Sequence, residues 1–296
     1  MVKLFLAYCV TVTIGLTGVL GYNAYKALEL DLKPADRQKR AEARQKVTRS
    51  IGADNLYGIM WGELADRKSK AEVGNEKFDL ENAEILKAKH NPKSDKLVVY
   101  MRDIHYDRPI QDKAYDAIDE IRNENKTTLL GLEGMVDGEV TRESLADEIG
   151  FGGKLMTLLL NGFWTPKDRE QAMQAFSGAG YAYEYVNGKA VDSCGLEDED
   201  VYNAAKNIAY TPVKSEGAIE IFKVVVSDMR SRICVEKMLK QMDSSGSKKA
   251  LFIYGAAHTR GIIDALEKAG VSYAIVQPKG LDSKIEELFK DNIEHQ

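Results

Sequence analysis

The chain has 296 residues, 44% of them hydrophobic and 29% charged, which allows one or two domains around a large core. Its net charge of −5 and pI near 5.6 exclude a strong basic field, and with it a generic nucleic-acid binder. Three cysteines, Cys9, Cys194 and Cys234, with no CxxC pair exclude a zinc ribbon. Cys194 and Cys234 are either a disulfide or two buried thiols.

Leu4 to Tyr25 holds no charged residue, a length that spans a bilayer. Residues 1–27 therefore read as a single-pass membrane anchor, or as a secretory signal cleaved after Gly21. The side of the membrane stays open. Lys26, Lys33, Arg37, Lys39 and Arg40 draw the body towards the cytoplasm, whereas Lys3 on a short N-terminus draws the other way. Residues 28–92 are expected to be a helical juxtamembrane segment. Its stretch Asp31–Asp66 is rich in Ala, Arg, Lys, Glu and Gln, with Pro34 near a helix start. The turn Asn91-Pro92-Lys93-Ser94 then opens a domain over 93–290.

Lys96–Met101 is the first strong strand, and it runs into Arg102-Asp103-Ile104-His105-Tyr106-Asp107. Pro109 opens a helix in which Ile110, Ala114, Ala117, Ile118 and Ile121 share a face. A second strand, Thr127–Leu132, ends in Glu133-Gly134. Strand, helix and strand at this spacing make a βαβ unit, whose parallel pairing puts His105 and Glu133 at one edge. A helical insert is expected over about 137–187. Its Gly150–Lys154 loop lacks the Walker spacing, and its alternating Tyr181, Tyr183 and Tyr185 read as a strand, a pocket wall or core packing.

Val191–Leu196 is a further strand, ending in Glu197-Asp198, and a helix follows from Tyr202. A long amphipathic helix over about Glu216–Met242 carries Arg230. Leu251–Tyr254 is an apolar strand; Gly255-Ala256-Ala257 turns the chain, and His258 follows at once. Ile262, Ile263, Leu266 and Ala269 recur at helical spacing before Gly270, and Val271–Val276 is a last strand. The pattern predicts an α/β fold: a mostly parallel sheet flanked by helices.

Ligands bind beyond the carboxyl ends of strands in such sheets. Four strand ends deliver Asp103 and His105, Glu133, Glu197 and Asp198, and His258. Two imidazoles and a carboxylate suit a divalent ion with open positions. His105, Glu133 and His258 are the candidate ligands, with Asp103, Glu197 and Asp198 behind them. A carboxylate outside the metal is a candidate general base. Arg230 either neutralises a substrate carboxylate or oxyanion, or holds the site through an ion pair with Glu133 or Asp198. His258 has its own plainer alternative, a helix-capping or core histidine. The absence of HExxH and GxSxG disfavours a zincin and a serine hydrolase.

From about Lys96 to Pro278 the chain resembles the Tiki/TraB superfamily, which includes erythromycin-esterase-like and ChaN-like haem-binding proteins. The segments that carry the resemblance are Arg102-Asp103-Ile104-His105, Leu132-Glu133-Gly134, Met229-Arg230-Ser231 and Gly255-Ala256-Ala257-His258, with Gln111 and Gly195-Leu196-Glu197-Asp198 beside them. Arg102 stands where glycine is usual in that family, and Ser231 where asparagine is usual. The resemblance implies an α/β fold. Tiki-like members cleave peptides with a metal (Mn, Co or Zn here), and esterase-like members use a histidine base. The expected partners are the membrane, through the N-terminal helix, and a peptide or small-molecule substrate. The rival expectations are a ChaN-like binder of haem or another ligand through His105 and Tyr106, and an inactive membrane-anchored scaffold.

Overall fold

Apolar runs too short for helices and bounded by turn residues become strands buried on both faces. In the computed structural model this holds across the centre of the sheet. The structure describes residues 67–104, 107–127, 129–136, 138–140, 145, 168–176, 178–187, 192–210 and 228–285. The expected anchor over 1–27, the polar segment up to Asp66, the Gly150–Lys154 loop and His105 lie outside these residues. Among the described residues no helix is long and apolar enough to cross a membrane.

The strands are β1 (Lys70–Val73), β2 (Glu76–Asp79), β3 (Ala83–Lys89), β4 (Leu97–Asp103), β5 (Leu129–Val136), β6 (Gly138–Glu139), β7 (Asp192–Glu197), β8 (Lys249–Gly255) and β9 (Ser272–Pro278). The helices are α1 (Arg108–Asn125), α2 (Arg169–Ala175), α3 (Ala179–Asn187), α4 (Glu199–Tyr210), α5 (Arg230–Ser245) and α6 (Thr259–Ala269). A seven-stranded mixed sheet has the order β3-β9-β4-β8-β5-β7-β6. From β9 to β7 all neighbours are parallel, and β3 and β6 close the edges antiparallel.

The alternation of side chains along each strand sorts the core into two layers. Val99 and Met101 of β4 and Leu251 and Ile253 of β8 face α1 and α3. Val98, Tyr100, Phe252 and Tyr254 face α5 and α6, against Val235, Met238, Ile262 and Leu266. The α1 face forms as its spacing requires, with Ile110, Ala114, Ala117, Ile118 and Ile121 buried. Asp107 caps its start by accepting from Ile110 N at 3.2 Å. Gly270 ends α6 in the left-handed region, at φ 67.

Two expectations need correction and two open readings close. Residues 70–89 are not helical but form β1, β2 and β3, because Gly74 and Asn75 turn a tight hairpin and Ala83–Lys89 finds the free edge of β9. β4 and β5 are parallel but not neighbours, since the strongly apolar β8 lies between them. Tyr181, Tyr183 and Tyr185 belong to helix α3 and are buried in the core, so of their three readings core packing holds and the strand does not. Cys194 and Cys234 are buried free thiols.

Candidate functional site

The parallel order of β4, β8, β5 and β7 brings their carboxyl ends to one edge. Glu133 and Gly134 lie inside β5, not beyond it. Between Leu132 and Val136 the ladder shifts against β7, and this irregularity turns Glu133 out of the regular pairing. Gly134 adopts φ 79, and a Cβ there would stand 2.6 Å from the Tyr181 hydroxyl. Glu197 is the last residue of β7, Arg230 the first of α5, and His258 ends a short 3-10 turn after β8. All four side chains meet.

Arg230 binds both carboxylates. Its Nε donates to Glu197 Oε2 at 3.1 Å, and its Nη2 donates to Glu133 Oε1 at 3.0 Å and also to Glu197 Oε1. Tyr254 adds its hydroxyl to Glu197 Oε1 at 2.7 Å, and Gly134 N donates to the same oxygen at 3.3 Å. Glu133 Oε2 accepts from Gly255 N at 2.5 Å. His258 Nε2 stands 3.9 Å from Glu133 Oε1, while Ser231 Oγ lies 3.1 Å from its Nδ1. The Tyr254 and His258 rings meet edge to face at 4.7 Å, and the guanidinium lies over the Tyr202 and Tyr254 rings at 5.5 and 5.4 Å. A small pocket beside Glu133 is lined by Asp103, Leu132, Gly178, Gly180, Tyr181 and Ile253.

Burial by itself would lower the Arg230 pKa. The hydrogen bonds to Glu197 and the negative charges around it outweigh burial and hold the group above its ordinary value. Burial above all pushes the Tyr254 phenol well up, with Glu197 adding to it, so it stays a donor to Glu197. The Cys234 thiol is raised by the same burial and is no nucleophile.

The remaining candidates have other work. Asp103 is buried and accepts from Gln111 Nε2 at 2.5 Å; the Gln111 carbonyl in turn accepts from Ala179 N. That chain ties the end of β4 to the first turn of α3. Asp198 caps α4, accepting from Val201 N at 3.2 Å. Arg102 is fully buried; its Nε donates to Thr259 at 3.0 Å and its Nη1 lies 3.3 Å from Asp282. His258 makes no side-chain cap on α6, which removes the capping alternative.

No family model matches the chain, and no curated protein does. Among solved structures the chain is similar to the type III effector HopBA1. The identity is 12% and the TM-score 0.31, over 54% of this chain and 67% of that one. At that score the likeness carries neither fold nor activity from one to the other.

Two of the three expected metal ligands are described, and Glu133 Oε1 already accepts from Arg230. The 3.9 Å between His258 Nε2 and Glu133 Oε1 is a span that two ligands of a single divalent ion can bridge at about 2.0–2.2 Å each. Glu197 is taken up by Arg230, Tyr254 and Gly134, and among the described residues no cluster of three His, Cys, Asp or Glu presents itself. Sequence reasoning missed Tyr254 and the contact of Ser231 with His258. Tyr254 offers one signal, a hydroxyl at the end of an otherwise apolar strand.

Proposed function

We propose that the chain is a Tiki/TraB-like hydrolase of an acyl C–N or C–O bond, in a peptide or an ester, held at a membrane by residues 1–27. The supporting observation is the pairing of His258 Nε2 with Glu133 Oε1 at 3.9 Å, at the edge of a pocket and above a buried guanidinium. A water between the two accepts nothing from either and donates to both. His258 takes its proton at Nε2 as the oxygen attacks the carbonyl, Glu133 faces the imidazolium that forms, and the imidazolium returns the proton to the leaving alkoxide or amine as the C–O or C–N bond breaks. Arg230 spends its fork on Glu133 and Glu197, so its part is to hold Glu133 and to keep positive charge beside the reacting carbonyl.

Glu133 and His258, with His105, are the residues that would hold the Mn, Co or Zn ion the family resemblance implies. Bound there, the ion would lower the pKa of the water it carries. The haem-binding reading rests on His105 and Tyr106, which lie outside the described residues.

The test uses the full chain in detergent. Metal content is measured first, then hydrolysis of a panel of esters and peptides by the wild type, His258→Ala and Glu133→Ala. The expected result is turnover in the wild type and loss of about 10²–10⁴-fold in each variant, with thermal unfolding still cooperative. A Soret band with no turnover would favour the haem binder. Neither signal would favour the scaffold.

A further inference from the structure

His258 ends a turn whose own side chains do little to hold it. Gly255, Ala256 and Ala257 carry no polar side-chain group, and a single 3-10 turn has poor hydrogen-bond geometry. The holding groups come from outside. Thr259, the first residue of α6, is buried. Its backbone N–H and its hydroxyl both donate to Ala256 O, the hydroxyl at 2.6 Å. Tyr100 of β4 is fully buried, and its hydroxyl donates to Gly255 O at 3.0 Å.

The neighbours leave each hydroxyl proton one place to go. Arg102 Nε donates to Thr259 Oγ1 at 3.0 Å. A guanidinium has no acceptor, so it takes a lone pair and leaves the single Thr259 proton for Ala256 O. Tyr100 stands 3.4 Å from Thr259 Oγ1, longer than an ordinary O–H···O bond, and keeps its normal length to Gly255 O. Burial holds the Tyr100 phenol well above its usual pKa, so it stays a donor. The Tyr100 ring stacks on Phe252, its partner in β8, with centroids 5.1 Å apart, and this aims the hydroxyl at the end of that strand. Glu133 Oε2 takes the other side of Gly255, accepting from its N–H. Gly255 is therefore held at both ends of its backbone, and Ala256 at its carbonyl. His258 follows two residues on, with its ring 3.9 Å from the same Glu133.

We infer that Thr259 and Tyr100 are positioning residues, whose two hydroxyls clamp the Gly255 and Ala256 carbonyls and so set His258 against Glu133. Neither clamping bond uses a proton of Arg102. The inference rests on the proposed chemistry of Glu133 and His258 only for its effect on turnover, and the place of the ring is measurable without substrate.

The experiment compares Thr259→Val, Thr259→Ser and Tyr100→Phe with the wild type, each as the full chain in detergent. The first readout is the His258 ring-proton resonance, assigned by its loss in His258→Ala. The Tyr254 ring, edge to face with His258 at 4.7 Å, makes that resonance sensitive to small displacements. The second is kcat and KM on the ester and peptide panel, and the third is thermal unfolding. Thr259→Val keeps the shape and loses the hydroxyl. It should move the resonance and lower kcat about 10–100-fold with KM little changed, because a small misplacement of a reacting group is costly. Tyr100→Phe should act in the same direction, and Thr259→Ser should restore both readouts. A Thr259→Val protein with the wild-type resonance and kcat overturns the inference. So does a Thr259→Ser protein as impaired as Thr259→Val, since packing of the methyl would then be the cause. Should Thr259→Val fail to unfold cooperatively, Tyr100→Phe decides, because it removes one oxygen and keeps the stack on Phe252. If the wild type turns over no substrate, the hydrolase reading falls, and the resonances alone decide the clamp.

Discussion

Two buried arginines sit at the carboxyl edge of the sheet, and their surroundings differ. Arg102, at the end of β4, meets a hydroxyl, an amide and Asp282, which it shares with Arg67. Burial lowers its pKa. Its partners lie on α6, at the end of β9 and at the start of the C-terminal segment, so it ties three parts of the fold together. Arg230, across β8, meets two carboxylates and two aromatic faces, and its pKa is raised. Its carboxylate Glu133 is in turn 3.9 Å from an imidazole. The difference teaches that burial of a charge does not mark a site. A site is marked where the paired partner of that charge still faces a third reactive group.

The largest effect should come from Arg230→Met. It leaves Glu133 and Glu197 facing each other without a cation, and should cost about 3–5 kcal/mol in denaturant unfolding together with turnover. Adding Glu197→Gln should recover part of the stability and none of the turnover. Arg102→Met should cost about 3 kcal/mol, because Arg67 still faces Asp282. In that variant the folded fraction should keep its turnover. If Arg102→Met removed turnover from the folded protein, the division between the two arginines would fail.

Gly134→Ala sharpens the comparison from the carboxylate side. The φ of 79 and the Tyr181 hydroxyl at 2.6 Å both oppose a Cβ, so the variant should lose about 1–3 kcal/mol by thermal unfolding, and Glu133 should move. The smallest effect is expected of Asp198→Ala. Asp198 only caps α4, and its loss should cost about 1 kcal/mol with turnover intact. Lost turnover there would place Asp198 in the site after all.

The site's carboxylates and His258 are legible in the chain because parallel strands leave their carboxyl ends on one edge whatever their order. That rule delivers Glu133, Glu197 and His258 without knowledge of neighbours. The order itself is not legible: β4 and β5 read as a pair, and only packing puts β8 between them. Ser231 and Tyr254 are hidden for the same reason. Ser231 reaches His258 because α5 lies against α6 at Gly261, and no period in either helix announces that contact. The irregularity in β5 is hidden too, since Leu129–Val136 reads as an ordinary strand. Arg102 is hidden as well, because its ties to Thr259 and Asp282 depend on segments far along the chain.

The place of β8 bears on how the protein is made. β4 and β5 leave the ribosome long before the strand that separates them. Until Lys249–Gly255 emerges, each has an open flank able to pair with the other or with a neighbouring nascent chain. His258 emerges three residues after β8 ends, so the reactive edge and the centre of the sheet are completed together. A translating chain therefore cannot bring Glu133 and His258 together until synthesis has passed the middle strand.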